Sequence, residues 1–480
     1  MKRLVVLLVA ALTACGSPYA QPGAVPVGAG LPAALSHRAS SFPITHVVVI
    51  MQENRSFDNF FHGFPKADSA TFGYGHGVKY TLQPLPLKWG HDINHFRWQF
   101  LEDYDGGRND GWDQQIRSLN QAPPNGTCPY NDPYNHPACW IFWTGKTYLK
   151  MAFSYVVKSD IQAYWTMASQ YTLGDHNFSS TNGPSFGPHQ MLIAGQDGHA
   201  DEVPSETPWG CDAPKETENY LAYGQASPPE FPPQFGHDVV GGDPCFTYPT
   251  VAGLLDTAKV SWRWYVQQQP NDSYWLSAFD AIQPIRNGPD WANVVSPDSK
   301  ILNDIAGGNL PNVSWVMPYG GASDHAGAGS GNGGPAWVSS IVNAIGQSKY
   351  WNSTAIIITW DEWGGWFDHV LPPQYADPVT GAYEGLGYRT PLIIVSPYAK
   401  NHYVSKAQHE TASSLHFIEK MFGLPFLGEG SGQTYADQRA DAYDDVFNFS
   451  KQPTKFTPIP AKKNAAYFMK HPPTQPETDY

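Results

Sequence analysis

Four short clusters in this chain hold residues able to do chemistry together. Glu53-Asn54 follows the apolar run Ile44 to Met51, and Asp361-Glu362 follows the apolar run Ala355 to Thr359. Two acidic clusters brought to neighbouring strand ends repel unless a cation lies between them, which points to a divalent metal held by oxygen donors. Taken singly, Glu53 or Asp361 would serve as well to cap a helix or to answer an arginine. A third cluster, Ser323-Asp324-His325, lies in a Gly-rich loop after Val313 to Met317. The fourth runs from Asn177 to Gly195, where Gly183-Pro184 precedes Ser185 and an amphipathic stretch. Proline suits the first turn of a helix, so Ser185 stands at a helix start. The free N–H groups and positive dipole end there favour both an alkoxide and a bound phosphate. An ordinary N-cap serine fits the same local pattern. No GxSxG elbow is present, and no Walker loop or GxGxxG stands after a strand, which disfavours α/β-hydrolase and nucleotide-binding folds.

The elements that must carry these clusters are legible as strands and helices in alternation. Ile44 to Met51, Val313 to Met317, Ala355 to Thr359 and Leu392 to Val395 are continuous β-branched runs of the kind buried in a central sheet. Helical stretches at Ala336 to Gly346 and Thr411 to Phe422 lie between and after them. This order predicts an α/β fold, a mostly parallel central sheet flanked by helices on both faces. Ligands of such sheets bind beyond the carboxyl ends of the strands, where the clusters sit. Residues 62–165, rich in Trp, Asn, Pro and Gly, show no clear period and are expected to form a loop-rich cap. One domain is expected over residues 43–455, with a C-terminal tail at 456–480.

The chain's 480 residues include 45 Gly and 43 Pro, so much of it must be ordered loop, and 17 Trp are available to pin such loops. Lys2-Arg3, the apolar run Leu4 to Leu12 and then Thr13-Ala14 read as a signal peptide over 1–14, too short for the ~20 residues of a membrane span. Leu12-Thr13-Ala14-Cys15-Gly16 resembles a bacterial lipobox. Cys15 is therefore the expected lipidation site, with 15–42 a flexible tether and the protein an exported lipoprotein of the cell envelope. Ordinary cleavage with Cys15 incidental is the alternative. The net charge of −14 becomes more acidic once Lys2 and Arg3 are removed, which argues against nucleic-acid partners and leaves membrane contact to the lipid anchor. Cys128, Cys139, Cys211 and Cys245 make an even set, most simply paired as Cys128–Cys139 and Cys211–Cys245. The competing zinc site lacks any CxxC.

Glu53-Asn54-Arg55-Ser56-Phe57-Asp58, Gly183-Pro184-Ser185, and Thr359-Trp360-Asp361-Glu362 with Gly364-Gly365 and Asp368-His369 together resemble the bacterial phosphoesterase family. That family holds acid phosphatases and phosphatidylcholine-preferring phospholipases C within the alkaline phosphatase superfamily. The resemblance runs in order from about 44 to about 450 and includes Asp92-Ile93-Asn94-His95, Asp105 to Gly111, Arg389-Thr390-Pro391 and Asp437 to Asp441. It implies an alkaline phosphatase-like fold and one metal ion on Glu53, Asn54, the Ser185 hydroxyl, Asp361 and Glu362. The oxygen-dominated set suggests Mg²⁺, Ca²⁺ or Mn²⁺ ahead of Zn²⁺. It further implies Ser185 as nucleophile and His95 as a phosphoryl contact. Asp324 and His325 would bind substrate, with His325 ahead of His409 as donor to the leaving group.

Four departures matter. Serine at 185 matches the family's phosphatases, whereas its phospholipases usually carry threonine. Pro188 stands where asparagine is common, and Leu101 replaces a second histidine. The stretch after Phe449 is also too short for the extra C-terminal domains usual in the phospholipases. The expected function is hydrolysis of phosphomonoesters through a phosphoserine. The alternatives are a phospholipase C acting on phospholipids and a noncatalytic surface-binding protein. A sulfatase would need a CxPxR-type context, which is absent.

Overall fold

Val47 to Met51 are β-branched or apolar without interruption, and a strand of that composition is stable only where both its faces are covered. In the computed structural model His46–Gln52 forms strand β1, flanked by parallel neighbours on both sides. The structure describes residues 42–88, 92–114, 151–200, 202–217, 219–221, 239–241, 243–268, 277–326, 333–376, 383–429 and 435–472. Cys15, the signal segment, the tether up to residue 41, and Cys128 and Cys139 lie outside those residues. Cys211–Cys245 is a disulfide, as the spacing suggests.

The central sheet has eight strands. Beside β1 they are β2 (Thr172–Gly174), β3 (Trp262–Tyr265), β4 (Val294–Val295), β5 (Val313–Val316), β6 (Thr354–Trp360), β7 (Leu392–Val395) and β8 (Tyr403–Ser405), in the order β4-β3-β5-β1-β6-β7-β2-β8. All pairings are parallel except those of β7, which runs against β6 and β2. The expected mostly parallel sheet is therefore found, with one reversed strand. Its reversal has a consequence for the site. Because β2 opposes β7 as β6 does, the carboxyl ends of β1, β5, β6 and β2 all reach one edge, joined there by the amino end of β7.

Alternate residues along each strand feed two separate cores. Val48, Ile50, Ile356, Ile358 and Val395 pack with α3 (Gln162–Gln170), α6 (Lys300–Gly307) and α7 (Gly334–Gly346). Val47, Val49, Met51, Ile357 and Ile394 pack with α4 (Phe186–Ala194), α5 (Val251–Thr257) and α8 (Ser413–Phe422). Each fully buried Val or Ile contributes about 1.5–3 kcal/mol relative to exposure. A one-residue slip would exchange every contact between the two cores, which pins the register.

The described part of 62–165 carries more structure than its composition suggests. A hairpin joins Phe72–Gly75 to Val78–Thr81, Gln83–Leu85 pairs with Ser154–Val156, and α2 spans Arg97–Tyr104. Leu85, Phe100, Leu101 and Phe153 form a third core with Trp363, Trp366 and Phe367 from the segment after β6. Leu101, at the position of the missing histidine, is thus a core residue. The C-terminal segment forms a short helix, α9 (Ala465–Lys470), whose Phe468 docks on Trp337.

Candidate active site

The six residues that follow β1 are all buried, and each does a distinct job. Asn54 takes a left-handed backbone, φ 57°, a conformation Asn tolerates better than most side chains. That turn aims its N–H at Asp361 Oδ1, 2.8 Å away, while Arg55 N–H donates to the Glu362 carbonyl. Ser56 caps the short helix α1 (Phe57–Phe61) by accepting from the Asn59 amide. The Arg55 guanidinium donates to the Asp324 carbonyl at 2.8 Å and lies over Trp366, tying the ends of β1 and β5. Burial pulls it down to about 10, against the carboxylates of Asp324 and Asp92, so it stays charged. The Asp361 N–H donates to the Gln52 carbonyl, and Gln52 Oε1 accepts the Asp324 N–H. Three strand ends are thus laced together by backbone and buried side-chain hydrogen bonds.

On this frame Glu53, Asp361 and His189 present donor atoms lying within 4.8 Å of one another, all three side chains buried. Glu53 Oε1 is 3.5 Å from His189 Nε2. Asp361 Oδ2 and Asn54 Oδ1 are buried acceptors with no hydrogen-bond partner among the described residues. Leaving a buried polar atom unpaired costs about 1–3 kcal/mol, more for a charged group. A cation satisfies that cost, and the donor chemistry fits a dication. The Asn54 side chain is held for it: its Nδ2 meets His95 Nε2 at 3.1 Å, and His95 Nδ1 lies 2.9 Å from the Ile93 carbonyl. A carbonyl only accepts, so His95 carries its proton on Nδ1, accepts from the Asn54 amide through Nε2, and leaves Asn54 Oδ1 facing away.

Ser185 precedes α4 and is buried. Its hydroxyl caps no amide of that helix, so the ordinary N-cap role is not the one it plays. The His189 N–H donates to the Ser185 carbonyl, and residues one turn apart share a helix face. His189, one turn on from Ser185, is the residue of that helix that reaches Glu53. Pro188 lacks an N–H, and the Gly187 amide is taken by the Pro184 carbonyl, so the helix start offers few amides to an anion.

The other predicted residues are dispersed around this centre. His325 is buried, its ring 5.6 Å from that of His95, and its Nδ1 donates to the Ala326 carbonyl at 2.7 Å. Asp324 accepts from Tyr164 and Trp360 at 2.7 and 3.2 Å, and burial pushes its carboxyl up to about 7 despite Tyr164, Arg55 and Trp360. Glu362 turns its Oε2 back to the Gly364 amide at 2.6 Å. His409 sits in another cluster, with Nδ1 on Asp441, Nε2 on Ser405 and Asp445 alongside. Asp368 and His369 belong to a buried ionic lock. Arg389 grips Asp368 with two N–H groups, and Asp58 accepts from His369 at 2.6 Å. The residue that sequence reasoning missed is His189. Its signal was its place four residues after Ser185 on a helix already expected.

In sequence the chain is similar to known phosphoesterases. The model of the "Phosphoesterase family" matches residues 44–425. Phospholipase C A of Mycobacterium tuberculosis is 23% identical over 465 residues, covering 86% of this chain and 79% of that protein. Non-hemolytic phospholipase C of Burkholderia pseudomallei is 26% identical over 467 residues, covering 87% of this chain and 61% of that protein. Among solved structures, a Vibrio parahaemolyticus protein in the alkaline phosphatase superfamily matches at 10% identity and a TM-score of 0.30, over 54% of this chain and 60% of that one. The match to Ps i-CgsB in complex with k-i-k-neocarrahexaose has 8% identity and a TM-score of 0.37, over 82% and 75%. Likeness that slight supports no conclusion. The family model covers most of the chain and every cluster around Glu53, Ser185 and Asp361: this protein belongs to the Phosphoesterase family and is a phosphoric-ester hydrolase.

Proposed function

We propose that the protein hydrolyses phosphomonoesters, with Ser185 as nucleophile and one divalent cation held by Glu53, Asn54 and Asp361 beside it. The observation that carries the reading is the convergence of Glu53 and Asp361 with the helix that Ser185 opens. When bound, the cation lowers the pKa of a hydroxyl and polarises a phosphoryl oxygen. The chain supplies the rest. Ser185 Oγ, its proton already lost to solvent, attacks phosphorus as the alkoxide opposite the leaving oxygen, forming the Oγ–P bond as the P–O ester bond breaks, and is an alkoxide again once phosphate leaves. His325, protonated at Nε2 as well as Nδ1, gives the Nε2 proton to the departing alcohol. A water then enters from the vacated side, loses a proton to His325 and releases phosphate from Ser185. His95 stands between Asn54 and the His325 ring, where it holds the amide and borders the phosphoryl group.

A second reading, a phospholipase C, draws support from the names of the relatives above. Turnover of p-nitrophenyl phosphate, p-nitrophenylphosphorylcholine and phosphatidylcholine, measured with and without chelator, separates the two. Cleavage of the monoester alone is expected, with chelator abolishing it. Preference for either diester would replace the first reading by the second. Ser185→Ala should lower turnover by on the order of 10³-fold or more. An unchanged rate in that variant rules out Ser185 as nucleophile.

A further inference from the structure

The oxygen-only ligand set expected from the sequence omits a group that the fold places at the centre. His189 Nε2 is 3.5 Å from Glu53 Oε1 and shares with Glu53 and Asp361 a set of donor atoms within 4.8 Å of one another. The His189 side chain is almost fully buried, as are both carboxylates. We propose that His189 is a nitrogen ligand of the metal, so that the centre is a mixed nitrogen–oxygen site selective for a borderline first-row dication such as Mn²⁺, Co²⁺ or Zn²⁺ over Mg²⁺ or Ca²⁺.

The chemistry follows from the donors. Magnesium and calcium take hard oxygen ligands, whereas an imidazole nitrogen favours first-row transition ions and zinc. The supporting carboxylate is already oriented: Asp361 Oδ1 accepts the Asn54 N–H, which leaves Oδ2 as the atom turned to the cation. A ligand on α4 also fixes the helix that Ser185 opens. His189 and Ser185 are one turn apart, and a metal bond to His189 ties that face of α4 to the ends of β1 and β6. The alternative role for His189, an imidazolium neutralising Glu53, would put a positive charge where the cation belongs. The two roles therefore exclude each other.

The inference rests on the metal-dependent reading above, and its test separates the two. Full-length protein stripped with chelator is titrated calorimetrically with the chlorides of Mg²⁺, Ca²⁺, Mn²⁺, Co²⁺ and Zn²⁺, as parent and as His189→Gln. The parent should bind Mn²⁺, Co²⁺ and Zn²⁺ at least tenfold more tightly than Mg²⁺ or Ca²⁺. His189→Gln should lose 10- to 100-fold for the first three and little for the last two. Pulsed EPR of the Mn²⁺-loaded parent should show imidazole ¹⁴N coupling, a readout that needs neither activity nor a folded variant. Tight Mn²⁺ binding without that coupling overturns the role of His189 and leaves the phosphoesterase reading standing. Failure of the parent to bind any of the five ions overturns both.

Discussion

His325 has Nδ1 on a backbone carbonyl, so a proton given to a leaving group would come from Nε2, which carries a donatable proton only in the imidazolium. The size of its contribution must then depend on how much the leaving group needs that proton. His325→Gln is expected to slow hydrolysis of an alkyl phosphate by about 10²–10⁴-fold. The same variant should slow p-nitrophenyl phosphate far less, because nitrophenolate departs without a proton. Equal losses in kcat/KM, which reports the steps up to departure of the alcohol and not the shared hydrolysis of the phosphoserine, would assign His325 to phosphate binding instead. His409 offers no comparable nitrogen, since Asp441 and Ser405 engage both of its own. Its motif is local in sequence. Its partners come from elsewhere, and they decide its role.

Between residue and fold stands the turn that leaves β6. Gly364 has φ +64°, and a Cβ there would lie 2.2 Å from the Asn54 carbonyl oxygen. Gly365, at φ +71°, would place one 2.4 Å from the Asn94 carbonyl. The Gly364 amide also holds Glu362 Oε2. Only glycine lets the β6 turn lie flat against the β1 turn, which is why Asn54 and Asp361, 307 residues apart, can share a hydrogen bond. Gly364→Ala should therefore cost on the order of 2–3 kcal/mol of stability and weaken metal binding together. Thermal unfolding and metal titration of the same variant check this. Loss of stability with metal affinity intact would show that the turn does not position the ligands.

At the scale of the molecule, buried acids set the dependence of stability on pH. Burial pushes the carboxyl of Asp298 up to about 8. Asp280 also reaches about 8, with Asp212 adding to burial, and Glu419 about 10, with Asp437 adding to burial. A carboxyl with a raised folded value keeps its proton in the fold and loses it in the unfolded chain. Its stabilisation is complete below its ordinary value near 4 and drains away as pH climbs through the folded value. Asp58 has the opposite sign. Burial would raise it, but the hydrogen bond from His369 and the charge of Arg389 hold it below the ordinary range, so its contribution is lost only as pH falls through that depressed value. Stability should be highest in mildly acid solution, with a melting temperature several degrees lower at pH 9 than at pH 5. Asp298→Asn should narrow that gap. A melting temperature that rises from pH 5 to pH 9 would contradict the assignment of protons to these buried acids.

What the sequence by itself determined is whatever depends on neighbours along the chain. The β-branched runs named β1, β5, β6 and β7 to within two residues at each end. Pro184 placed the helix start beside Ser185, and polar clusters after apolar runs pointed to the sheet edge where Glu53, Asp324 and Asp361 lie. Short strands such as β2 and β4 carry too few residues to show a period, and they became legible only once paired. The tertiary structure alone decided the reversal of β7, the turn of Glu362 toward Gly364, the enclosure of His409 by Asp441 and Asp445, and the meeting of His189 with Glu53. Each is a contact between segments far apart in sequence. Strand direction and side-chain rotamer answer to the partner that arrives from the rest of the fold, and local composition carries no record of it.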